Sequence, residues 1–222
     1  MQSAAMKAAI GFRLHSGWTA LSILAAPLNF PVLVDRWRVD LADPAIDSSK
    51  QPYHAAERLR PEEAEEMIAR CAASTTLLAS EGVKRAIEES RRRGYTVVGC
   101  GVLLASGKPL PALPSILASH ALIHAAEGEF FRSAILQACS DNRLPAAGVK
   151  EKELLIRCRD ELDIPQKDLE DHLARMGRSI GSPWRQDEKF ATLAAWLALA
   201  AALRPDVSEG GANDNSLATQ VR

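Results

Sequence analysis

Residues 7–41, KAAIGFRLHSGWTALSILAAPLNFPVLVDRWRVDL, decide how this chain folds. Lys7–Leu14 reads as a short strand, and His15-Ser16-Gly17 supplies turn chemistry. Trp18–Ala26 follows as a second strand, most simply the hairpin partner of the first. Pro27-Leu28-Asn29 turns the chain again. In Phe30–Leu41, Val32 and Val34 alternate with Asp35, Trp37 and Val39, which describes a strand with one wetter face. A meander of three antiparallel strands is expected first.

Beyond it, residues 42–60 form a long polar connection containing Gln51-Pro52-Tyr53-His54. A connection of this length is often functional, and the plainer reading is a surface excursion pinned by Tyr53. Residues 61–93 read as a long helix, with Pro61 at its first position, glutamates in its first turn, Arg91–Arg93 in its last and Gly94 beyond. Tyr95–Leu104 is a nearly continuous apolar strand, as expected where both faces are buried, and Gly99 and Gly101 allow close backbone approach. A proline-rich loop over 106–114 leads to a helix over 119–139. A turn is expected at 142–148, a strand at 153–158, a helix over 165–176 closed by Gly177, a loop at 179–186 and a last helix over 187–203 capped by Asp187.

Composition narrows the class. With 222 residues, 47% hydrophobic and 25% charged, one folded domain over 1–204 is expected, followed by a disordered polar tail over 205–222. A net charge of −1 argues against a broad nucleic-acid or acidic-membrane surface, though not against a local basic groove. Cys71, Cys100, Cys139 and Cys158 form no CxxC pair and read as buried thiols in a reducing compartment. No targeting segment is recognisable, and the longest apolar run, 190–203, is too short to span a bilayer. A cytoplasmic protein without a membrane partner is expected.

The most informative anomaly lies in Ser119–Cys139, SHALIHAAEGEFFRSAILQAC. At about 100° per residue, Ile123, Phe130, Phe131, Ala134, Ile135 and Ala138 share one apolar sector. His120, His124 and Glu127 fall in the same sector, while Glu129 and Arg132 point away. Buried unpaired, each polar group would cost about 1–3 kcal/mol, so each needs a partner. His-x3-His on one helical face suits zinc, with Glu127 or His15 completing the set. The HExxH glutamate is absent, since position 121 is Ala. Ordinary roles are preferred: His120 capping a strand end, His124 bonding a backbone carbonyl and Glu127 pairing with an arginine.

The order of elements resembles the ribonuclease H-like fold, in the branch containing the RuvC Holliday-junction resolvases. Gly11-Phe12-Arg13-Leu14-His15-Ser16-Gly17-Trp18 is similar to the first hairpin of that branch. Asp187-Glu188-Lys189-Phe190-Ala191-Thr192-Leu193-Ala194-Ala195 is similar to its acid-headed last helix. The resemblance implies an α/β fold with a mixed five-stranded sheet, three antiparallel strands then two parallel, and helices on both faces. It also implies acids on the first and fourth strands, where this chain has Phe12-Arg13 and Gly99-Cys100-Gly101. Only Asp187 or Glu188 keeps a family position.

In such sheets ligands gather outside the carboxyl ends of the strands. His15, Ser16, Ser119 and Asp187 are therefore candidate ligand-binding residues, and His120, His124 and Glu127 candidate catalytic or metal-binding ones. The leading expectation is a diverged, non-nuclease ribonuclease H-like protein acting as a binding or scaffold module, its partner a nucleic acid or another protein. The alternatives are a metal-assisted hydrolase using His120, His124 and Glu127, and a structure-selective nucleic-acid binder without cleavage. The one candidate cofactor is a single divalent metal ion.

Overall fold

The computed structural model describes residues 5–105 and 109–204. The expected tail from 205 onward, and residues 106–108 of the proline-rich loop, lie outside the described residues. Strands β1 (Met6–His15), β2 (Trp18–Ala25) and β3 (Val32–Asp40) form the expected meander. Its first turn is made at Gly17, whose φ of +80° suits a residue without a Cβ. β4 (Tyr95–Leu104) and β5 (Ala146–Lys150) complete a five-stranded sheet of order β3-β2-β1-β4-β5. β1 pairs antiparallel with β2 and parallel with β4, and β4 runs parallel to β5. This is the mixed α/β sheet that the resemblance implies.

Between β3 and β4 stand α1 (Pro52–Ala56) and α2 (Pro61–Arg92). After β4 come α3 (Leu113–Leu117) and α4 (His120–Asp141). After β5 come α5 (Leu154–Leu162), α6 (Gln166–Ile180) and α7 (Gln186–Leu203). On one face of the sheet, Ile10, Phe12, Leu21 and Val102 meet Val83 and Ala86 of α2 and Phe131 and Ile135 of α4. On the other, α7 packs through Leu193, Trp196 and Leu197, with α5 and α6 outside it. The cysteines are all buried free thiols. Among the described residues no helix is long and apolar enough to cross a membrane.

The seat of α7 explains two glycines. A Cβ on Gly11 would lie 2.6 Å from the Ala195 amide nitrogen, and one on Gly101 would lie 3.1 Å from Ala194 Cα, each closer still to a helix carbonyl. The two glycines pair across β1 and β4, so the alanine-rich helix rests directly on sheet backbone.

Three expectations require correction. The segment 153–158 is not a strand: Leu154 and Cys158 are buried one helical turn apart, while Leu155 and Ile156 are exposed, the pattern of α5. A short apolar run does not separate strand from helix by itself. The fifth strand instead occupies 146–150, inside the expected turn, as an edge strand of small residues. Gly177 does not close its helix, which runs on to Ile180 and ends at Gly181, φ +80°. A Cβ at 177 would meet the Trp184 indole, so that glycine is required for packing.

Candidate functional site

Among the described residues, two clusters bring together the candidate side chains. The first lies at the carboxyl ends of β1 and β5. Arg13, near the end of β1, holds Glu151, just beyond β5, through two hydrogen bonds of 2.8 and 3.2 Å, and its other terminal nitrogen is paired with Asp187 of α7. His15 Nε2 lies 2.7 Å from the same Asp187 oxygen. The His15 ring stacks on Trp18 with centroids 4.2 Å apart, Arg38 covers the Trp18 ring, and Arg13 lies over Phe190. Burial works against the charge on Arg13, but Glu151 and Asp187 together outweigh it and hold the guanidinium above its ordinary range.

Asp187 is therefore not the N-cap expected of it. α7 begins one residue earlier, and the Asp187 carboxylate reaches across to β1 instead. The helix start is served by Glu188, whose carboxylate accepts the Arg185 amide N–H at 2.7 Å. Ser16 is exposed in the hairpin turn. Ser119 occupies the N-cap position of α4 without a capping hydrogen bond from its side chain.

The second cluster gathers around the first turns of α4. Its core-facing stripe is partly as expected: Ile123, Phe131, Ala134, Ile135 and Ala138 are buried. His120 and His124 are exposed, contrary to the expected sector, and Arg132 is buried beside Glu129 rather than directed outward. The reason is the neighbour. Only the later turns of α4 lie on the sheet, while Ile123 and Ala126 pack on Ile116 of α3 and on Tyr53 of α1. The imidazoles stand at the edge of that small contact.

Glu127 is 2% exposed, and its partner is His54, not an arginine. One carboxylate oxygen accepts the backbone N–H groups of Tyr53 and His54 at 2.8 and 3.1 Å and lies 3.2 Å from His54 Nδ1. The other oxygen has no hydrogen-bond partner among the described residues. Burial pushes this carboxyl above the usual carboxylate range, and the bonds from His54 and Tyr53 pull it back only in part. The same burial, with the neighbouring Glu127, raises the Tyr53 phenol.

So anchored, His54 faces the His-x3-His pair. Its ring centroid lies 5.5 Å from that of His120 and 4.7 Å from that of His124, while His120 and His124 bring their Nε2 atoms to 3.1 Å. One ring nitrogen from each histidine lies within 4.8 Å of the others, the one such trio among the described residues. Glu127 stands behind His54 instead of completing the set, and His15 belongs to the other cluster. Sequence reasoning missed His54 and Glu151. The available signals were the length of the 42–60 connection and Pro52, a first-position helix residue immediately before Tyr53-His54.

No protein-family model matches the chain, and no curated protein matches it. Among solved structures, it is similar to Thermus thermophilus RuvC in complex with a Holliday junction substrate. That likeness is at 14% identity, covers 88% of this chain and 94% of that one, and has a TM-score of 0.47. It is likewise similar to the Thermus thermophilus RuvC structure at 14% identity, covering 88% of this chain and 95% of that one, with a TM-score of 0.46.

Proposed function

We propose that this chain is a non-nuclease binding or scaffold module built on a ribonuclease H-like sheet. The observation that supports this reading is Arg13, a fixed cation paired with both Asp187 and Glu151 at the strand ends. Two-metal hydrolysis of phosphodiesters needs a pair of divalent ions held about 3.5–4 Å apart by protein ligands. A divalent ion about 4 Å from a guanidinium is repelled by about 8 kcal/mol at an effective dielectric near 20. The two carboxylates that would offset this are already engaged by Arg13 and His15. This donor set does not fit a pair of divalent cations, and the cluster instead ties β1, the end of β5 and the start of α7 into one rigid surface. The ligand class for that surface is a nucleic acid or a protein, in the cytoplasm.

The test is incubation of the purified chain with branched, duplex and single-stranded DNA and RNA in Mg2+ or Mn2+, alongside Asp187→Asn. The reading expects no metal-dependent cleavage that requires Asp187; cleavage lost in that variant would overturn it. Gel shifts across a salt series then separate the ligand classes. Retention that falls steeply with salt points to nucleic acid, and no retention at low salt removes nucleic acid as the ligand class.

A further inference from the structure

We propose that His54, His120 and His124 bind one transition-metal ion, with zinc the expected occupant, at a site separate from the strand-end cluster. The inference does not depend on the reading of that cluster. Four features carry it. First, the three imidazoles come from two elements, α1 and α4, and meet edge to face: the His120 and His124 rings are 82° apart, and the His54 ring makes angles of 85° and 69° with them.

Second, the spacing suits a metal. Zinc–nitrogen bonds of about 2.0–2.1 Å at tetrahedral angles put ligand nitrogens about 3.4 Å apart. The His120–His124 pair is already at 3.1 Å, and the widest nitrogen separation in the trio is at most 4.8 Å. Closing it takes about 1.4 Å, which side-chain torsions of two exposed histidines supply.

Third, the His54 Nδ1 is held by the buried Glu127 carboxylate, which leaves Nε2 as that ring's free nitrogen. A carboxylate behind a histidine fixes ring orientation and tautomer in metal centres and raises ligand basicity. Glu127 also accepts the consecutive backbone N–H groups of Tyr53 and His54, so the placement of His54 is built rather than incidental. Fourth, the exposure of His120 and His124 leaves a solvent-facing coordination position for water or an anionic ligand. Imidazole donors of this number favour zinc, copper, iron or nickel over magnesium or calcium.

The experiment uses the full-length chain without an affinity tag, stripped with chelator and titrated with Co2+ as the spectroscopic probe and then with Zn2+. The expected result is one equivalent of Co2+ per chain with the intense visible absorption of four-coordinate cobalt, bleached by Zn2+. His120→Gln and His124→Gln, both at exposed positions and checked for native circular dichroism, should each weaken binding at least tenfold. Glu127→Gln should keep the stoichiometry and lose about 10–100-fold in affinity. Absence of the four-coordinate spectrum overturns the proposal. Binding unchanged in both histidine variants, or a thiolate charge-transfer band pointing to the cysteines, overturns it equally.

Discussion

Replacing Glu127 with alanine sets two opposing effects against each other. The carboxylate accepts three donors on one oxygen, at 2.8, 3.1 and 3.2 Å, and these tie the first turn of α1 to α4. Hydrogen bonds to a charged group contribute about 1.5–3 kcal/mol each, and the two backbone donors would be left unpaired at a half-buried helix start. Against this, the substitution removes a buried carboxyl whose second oxygen has no partner among the described residues and which burial already disfavours in its charged form. Three bonds against one orphaned oxygen favour the native residue, and we expect a net loss of about 2–4 kcal/mol. At about 2–4 °C per kcal/mol for a chain of this size, the melting temperature falls by about 4–16 °C. Glu127→Gln keeps a carbonyl-type acceptor for the two backbone N–H groups and should lose only about 1 kcal/mol. Urea unfolding of the metal-free chain reads both. An alanine variant within about 0.5 kcal/mol of wild type, or more stable than the glutamine variant, would refute the reasoning, because desolvation would then outweigh the bonds.

Other outcomes follow from packing and charge. Gly101→Ala places a methyl group against the α7 backbone, which cannot rotate aside as a side chain can, so a loss at or above about 3 kcal/mol is expected by urea unfolding; an unchanged midpoint would contradict the close seat of the helix. Trp196→Phe removes a fully buried indole and its 3.1 Å hydrogen bond to the Leu28 carbonyl, with an expected loss of about 2–3 kcal/mol in thermal unfolding. His172 has its proton affinity lowered by burial and by Arg175. The unfolded chain therefore takes up that proton first, and stability falls as pH drops from the ordinary imidazole value toward the lowered folded one. His172→Gln should flatten this part of the stability–pH curve, and an unaltered curve would count against it.

The β1–β3 meander, α2 and β4 were legible because each follows a local rule. Alternation, a proline at a helix start, glycine at a turn and opposite charges at helix ends all act within a few residues. The expected strand at 95–104 and helix from Pro61 coincide with β4 and α2 almost to the residue. The region 142–158 was not legible. β5, AAGVK, has little strand character of its own and exists because β4 offers it an edge, while the more apolar ELLIRC became helix when only Leu154 and Cys158 found a core.

The candidate sites divide in the same way. His120 and His124 could be paired on paper because four residues make one helical turn, and the sequence likewise marked Asp187 as the acid heading the last helix. That His54 rather than Glu127 or His15 stands third, and that Asp187 faces Arg13 from 174 positions away, only the tertiary structure decided. Helical spacing is a property of the chain a few residues at a time. The meeting of α1 with α4, and of α7 with β1, depends on how separate elements share a core, and no local pattern carries that information.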